Sequence, residues 1–157
     1  MLLTGTFVRA VDDKLRIAIP KPLRTALGEL PGGVLYVAPG TDGSFAIYTE
    51  VEFGRLGERL ASGSPTQHDV RAFGRMFYAQ AQAVEVDSQG RMRLPPELAQ
   101  LAGLQAGVQK EAMLVGVGDH LELWDRPRWE ADLSEKQVRY DEIAEAAFAD
   151  SKPETRT

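Results

Sequence analysis

The chain is expected to fold as an α+β protein, mainly β: two copies of one small unit interleave their strands around a pseudo-twofold axis into a single β-barrel, with helices on its flanks. Three observations predict this. Residues 11–20, VDDKLRIAIP, return as residues 86–95, VDSQGRMRLP, with Val, Asp, Arg and Pro in the same places. Leu23 and Gly28 meet Leu98 and Gly103 at that same offset, so a strand, a turn and a short helix are all duplicated. Two hairpin patterns follow, VLYVAPGTDGSFAIYT and AMLVGVGDHLELWD, each a pair of apolar strands around a Gly- and Asp-rich turn. A unit of this size cannot enclose a core alone, so the copies must share one.

The elements can be justified in order. In V-D-x-x-x-R the Val ends one strand, the Asp accepts backbone N–H bonds in the turn, and the Arg begins the next strand. Alternation then turns Ile17 and Ile19, like Met92 and Leu94, inward, and leaves Arg16 and Ala18, or Arg91 and Arg93, on the other face. Pro20 and Pro95 end these strands, and Pro22 and Pro96 suit the first turn of the helices that follow. After the first hairpin, Thr49 with Glu52 forms a capping-box pattern, and Phe53, Leu56 and Leu60 recur at helical spacing. Asp125 is placed to cap the matching helix, with Trp129 and Leu133 as its apolar face.

Between the copies, the loop ASGSPTQ leads into a helix expected from His68 to Ala81, capped by Thr66, with Val70, Phe73 and Phe77 as a core-facing stripe. The expected organisation is therefore a first repeat at residues 1–62, a connecting loop and helix at 63–82, and a second repeat at 83–134. A C-terminal helix and a disordered tail, SKPETRT, complete it at 135–157.

A chain of 157 residues buries about two-thirds of its unfolded surface and needs no disulfide. It has no Cys, which fits a reducing compartment. The N-terminus MLLTGTFVRAVDDK lacks the pattern of a secretory signal, and no uncharged run is long enough for a membrane span. A soluble cytoplasmic protein is expected.

The net charge of −5 argues at first against a nucleic-acid partner, but its distribution matters more. From Arg9 to Arg24, the residues Arg9, Lys14, Arg16, Lys21 and Arg24 stand against only Asp12 and Asp13. Residues 111–150 carry eleven acids against four bases, a solvated acidic face. Taken alone, Arg16 and Arg91 are as suited to structural pairs, with Asp12, Asp87 or the acid of the opposite half, as to DNA contact.

Other chemistries are poorly supported. Asp12 and Asp87 are related by the repeat and would resemble a carboxylate dyad if they met at the axis, but the first Asp lacks the hydroxyl residue and Gly that follow in such sites. His68 and His120 lie in separate segments, with no Cys to complete a metal site, and are expected at the surface or at caps. No Gly-rich phosphate loop follows a strand in the required pattern. Neither enzyme activity, cofactor, metal nor small-molecule substrate is expected.

The doubled D-x-x-x-R motif, LPPELAQLAGL, MLVGVGDHLELWD and the Trp after it resemble the MraZ family of bacterial regulators, built from two AbrB/SpoVT-type repeats, over residues 1 to about 135. The resemblance implies a swapped-hairpin β-barrel and sequence-specific binding of double-stranded DNA. It further implies repression of the chain's own division and cell-wall gene cluster through promoter direct repeats, a ring-shaped homo-oligomer, and association with the nucleoid.

Carried over by position, the motif falls on Asp12 and Arg16 and on Asp87 and Arg91. Arg16 becomes the expected DNA contact, with Arg9, Lys14, Lys21 and Arg24 supplying the surrounding positive field. Arg91 completes the candidate set, although Glu85, Asp87 and Glu97 around it favour an internal pair; Asp12 and Asp87 are expected to orient the motif. One departure stands out. The family's first motif usually has Gly before its Arg, as Gly90 is in the second copy, but here the residue is Leu15. Either the first turn takes another shape or it stores strain. An oligomeric interaction scaffold that does not bind DNA is the alternative function.

Overall fold

A computed structural model describes residues 1–28, 33–104 and 110–149, in two units, Met1–Arg126 and Pro127–Thr157. The first begins β1 (Thr6–Val11), β2 (Arg16–Ala18), α1 (Lys21–Ala26), β3 (Val34–Pro39), β4 (Phe45–Thr49) and α2 (Glu50–Ala61). After α3 (His68–Gln80) the order returns as β5 (Gln82–Glu85), β6 (Arg91–Arg93), α4 (Pro96–Leu101), β7 (Lys110–Gly116) and β8 (Leu121–Asp125). The protein is α+β and its sheets are antiparallel.

The six-stranded sheet runs β1-β7-β8-β4-β3-β5, and β2 pairs with β6 in a separate ribbon. Exchanging each strand for its counterpart in the other repeat reverses this order without changing it, so the pseudo-twofold passes between β4 and β8. Each repeat keeps only its own hairpin, β3–β4 or β7–β8; β1 pairs with β7 and β5 with β3 across the halves. Among the described residues the expected closure into a barrel is not found, because β1 and β5 remain the two ends of the sheet. The cause is local. β2 and β6 are three residues long, and each runs after one further residue into a proline, Pro20 or Pro95, which has no N–H to extend a ladder.

The alternation is as expected: Ile17, Ile19, Met92 and Leu94 are all buried, with Ile17 directly opposite Met92. They join Leu35, Val37, Phe45, Ile47, Leu114, Leu121 and Leu123 in one core shared by both repeats. Burial of each such side chain contributes about 1.5–3 kcal/mol. The two short helices begin behind Pro20 and Pro95, with Pro22 and Pro96 in their first turns. Gly28 and Gly103 follow them at φ +91° and +76°, the left-handed position that ends a helix cheaply only with glycine.

Thr49 caps α2 by accepting the Glu52 N–H at 3.3 Å. Thr66 does not cap α3. Its hydroxyl bonds that of Ser64, and Gln67 occupies the cap position with no side-chain bond. The α3 stripe is only partly core: Phe77 is buried, Val70 is half-buried, and Phe73 is exposed, stacked on Phe77 at 5.6 Å. Helix α3 covers the sheet at one edge, where Phe53 of α2 already fills the space between Phe77 and Tyr36.

Helix α5 (Arg126–Gln137) starts directly after Asp125 and from Pro127 onward belongs to the second unit, where α6 (Tyr140–Ala149) follows. Neither helix has a buried residue, and Leu133, expected on an apolar face, is exposed. The ion pair Lys136–Asp132 supports α5 along its own length, and Arg139, in the turn between the helices, pairs with Glu142 in the first turn of α6. The tail SKPETRT lies outside the described residues. Among the described residues, no helix is long and apolar enough to cross a membrane.

Candidate nucleic-acid interface

The two D-x-x-x-R turns share one geometry. Asp12 Oδ1 accepts the backbone N–H groups of Lys14 at 2.9 Å and Arg16 at 2.8 Å, while Oδ2 accepts the Arg16 Nε–H at 2.8 Å. Asp87 Oδ1 accepts those of Gln89 and Arg91, both at 2.9 Å, and its Oδ2 accepts the Arg91 Nε–H at 2.9 Å. Each carboxylate thus closes its own turn and holds its own arginine. The pKa of each is lowered, chiefly by the backbone N–H of the motif arginine, against a smaller opposing effect of burial and with the guanidinium helping. A carboxylate dyad would raise one of the two.

Leu15 adopts the conformation of Gly90. Its φ is +58° against +75°, and both residues donate their N–H to the Asp carbonyl three residues back, at 3.1 and 3.0 Å. The first turn therefore keeps its shape and stores strain. The Leu15 side chain is buried in the shared core, which offsets the left-handed backbone.

The β2–β6 ribbon joins the turns. Arg16 lies opposite Arg93, Ile17 opposite Met92, and Ala18 opposite Arg91. The two ladders continue beyond the strands, with the Ile19 N–H donating to the Gly90 carbonyl at 2.9 Å and the Leu94 N–H to that of Leu15 at 2.7 Å. Because Ile17 and Met92 face inward, the ribbon's outer face carries Arg16, Arg91 and Arg93 with only Ala18 between them. Arg16 and Arg91 keep 28% and 33% of their side chains exposed, so the paired arginines of the two repeats are equally accessible.

The structure thus brings Arg16 and Arg91 to one surface and treats them alike, each paired within its own turn. Glu85 and Glu97 have no described bond to Arg91. Lys14 lies exposed in the first turn and Lys21 exposed at the start of α1. Arg24 of α1 reaches the second turn: a β-carbon at Gly90 would lie 2.7 Å from its Cδ and its Nη1. Arg9 belongs instead to β1, opposite Ala112, and its Nε is buried without a hydrogen-bond partner among the described residues. Arg93 was not singled out as a site residue, although its alternation with Met92 placed it on the face of Arg91.

The histidines lie apart from this surface. His68 is exposed, but His120 is not: its ring stacks on Tyr48 at 4.9 Å and its Nδ1 lies 2.7 Å from Asp119 Oδ1. That hydrogen bond is the main cause holding the Asp119 carboxyl below its usual range, while burial pushes the Tyr48 hydroxyl up. Among the described residues no group of three His, Cys, Asp or Glu side chains is placed to hold a metal ion.

Comparison with known proteins adds a family to this geometry. The family model for the MraZ protein matches twice, at residues 2–76 and 77–151. A transcriptional regulator MraZ from Alkaliphilus oremlandii is 39% identical over 140 residues, covering 89% of this chain and 92% of the relative. One from Heliobacterium modesticaldum is 36% identical over 141 residues, covering 90% and 93%. One from Thermomicrobium roseum is 42% identical over 128 residues, covering 81% and 84%.

Proposed function

The chain belongs to the MraZ family, and from that membership we propose that it is a sequence-specific, double-stranded-DNA-binding transcriptional regulator. The observation that carries the proposal is the outer face of the β2–β6 ribbon. There the motif arginines of both repeats stand on one surface, oriented by Asp12 and Asp87. A two-stranded ribbon is narrow enough for the major groove, and arginine is the side chain best suited to guanine and to phosphate. Lys14, Lys21 and Arg24 extend the positive field around it, and Arg9 adds charge from the sheet. The exchange of first strands between the repeats supports kinship with AbrB-type swapped hairpins.

The regulator acts without cofactor, as a repressor of its own division and cell-wall gene cluster, at the nucleoid. It assembles into a homo-oligomeric ring whose head-to-tail subunits present equivalent ribbons in the same sense, which matches tandem direct repeats rather than a palindrome. Several weak contacts on one assembly then act at high effective concentration.

A mobility-shift series on the DNA upstream of the chain's own coding sequence tests this. Arg16→Ala is expected to weaken binding by about 1–3 kcal/mol, with circular dichroism and oligomer size unchanged, and removal of all but one repeat to reduce affinity sharply. An oligomer of normal size that fails to shift this DNA at any salt concentration supports the scaffold alternative instead.

A further inference from the structure

The motif arginines are held by their aspartates, but two other arginines at the ribbon have no acid partner among the described residues. Arg93 is exposed and lies directly opposite Arg16; Asp12 balances the charge of Arg16, which leaves that of Arg93 without an acid partner among the described residues. Arg24 crosses Gly90, next to Arg91, with its Nε shut from solvent and unbonded. Each turn thus combines a held arginine of its own repeat with an unpaired one from the other repeat.

These extra cations do not follow from the duplication. The counterpart of Arg93 in the first repeat is Ala18, and the counterpart of Arg24 in the second is Ala99. One turn receives its extra arginine from a strand and the other from a helix. Packing explains the difference. Gly90 leaves the space that Arg24 fills, whereas at the first turn Leu15 and the fully buried Ala99 both belong to the core, so no helix side chain reaches out there.

We propose that Arg93 and Arg24 are DNA-backbone contacts delivered across the halves, Arg93 beside Arg16 and Arg24 beside Arg91, so that each contact site is built from both repeats. The held arginine is fixed in orientation and suits recognition of a base or one phosphate. The unpaired guanidinium has donors to spare for a second phosphate oxygen. This rests on the DNA-binding reading above.

Fluorescence anisotropy with the duplex from upstream of the coding sequence, repeated across a salt series, tests the proposal. Arg93→Ala and Arg24→Ala are each expected to lower the slope of log affinity against log salt by about 0.9 per engaged subunit. Arg24→Lys should keep the slope, since charge and not shape supplies it. Adding Ala18→Arg to Arg24→Ala should restore the slope, because Ala18 lies opposite Arg91 and is exposed. Thermal melting of every variant separates packing from contact: an Arg24 that only packs on Gly90 lowers Tm, leaves the slope intact and is not rescued through residue 18. An unchanged slope in either alanine variant, or failure of the Ala18→Arg rescue in a folded protein, overturns the proposal. Wild-type protein that does not bind the duplex removes the DNA-binding reading itself, and the proposal with it.

Discussion

Replacing Leu15 by glycine should cost less stability than replacing it by alanine, although glycine removes more of the side chain. Leu15 is 6% exposed and sits at φ +58°. Truncating a buried leucine to alanine costs about 2–5 kcal/mol, and alanine keeps the left-handed penalty of about 1–2 kcal/mol. Glycine loses one further carbon but releases that penalty, and the turn already accommodates it at Gly90, with the same closing bond and a φ of +75°. Leu15→Gly is therefore expected to be more stable than Leu15→Ala by about 1 kcal/mol. At an ordinary helix or strand position the order is reversed, because glycine costs about 0.5–1 kcal/mol more than alanine. Urea unfolding of the three proteins, followed by circular dichroism with equal m-values, measures it. If Leu15→Ala is the more stable variant, Leu15 carries no strain; if both variants lie close to wild type, its burial contributes nothing.

Because the Asp12 and Asp87 carboxyls have folded pKa values below the unfolded 3.8, their contribution is fully present above that value and is lost as pH falls through the lower folded values. In Asp12→Asn and Asp87→Asn the stability deficit relative to wild type should shrink as unfolding is measured from about pH 5 down to pH 2, and a deficit independent of pH would contradict the assigned bonds. Gly116→Ala should loosen the N-terminal segment, since a β-carbon there would lie 2.4 Å from the Thr4 backbone nitrogen; a loss of about 1–3 kcal/mol is expected, with faster amide exchange at Leu3, which bonds Gly118, and unchanged exchange would refute the close approach. Phe77→Ala should cost about 3–5 kcal/mol and Phe73→Ala much less in the same urea assay, and equal costs would refute the unequal burial of the two rings.

The repeat, both turns, the inward faces of β2 and β6, and the glycine-terminated short helices are all legible in the amino-acid sequence. Each depends on residues within one turn or one strand of each other. In both copies the Asp four residues before the Arg bonds the same backbone groups of its own turn, and a Gly at a helix end takes a positive φ for its own steric reasons. The doubled motif was therefore sufficient to locate Asp12, Arg16, Asp87 and Arg91.

What lies between the halves was not legible. The pairing of β1 with β7 and of β5 with β3, the failure to close a barrel, and the exposure of Phe73 behind Phe77 depend on contacts between residues distant along the chain, which periodicity does not record. Charge in the neighbouring sequence suggested that Arg16 and Arg91 differ, yet tertiary structure gives them matching bonds because the turn, not its flanks, determines the geometry. The conformation of Leu15 needed the shared core to decide it: local sterics disfavour a left-handed leucine, and only its burial among side chains of both repeats offsets that cost.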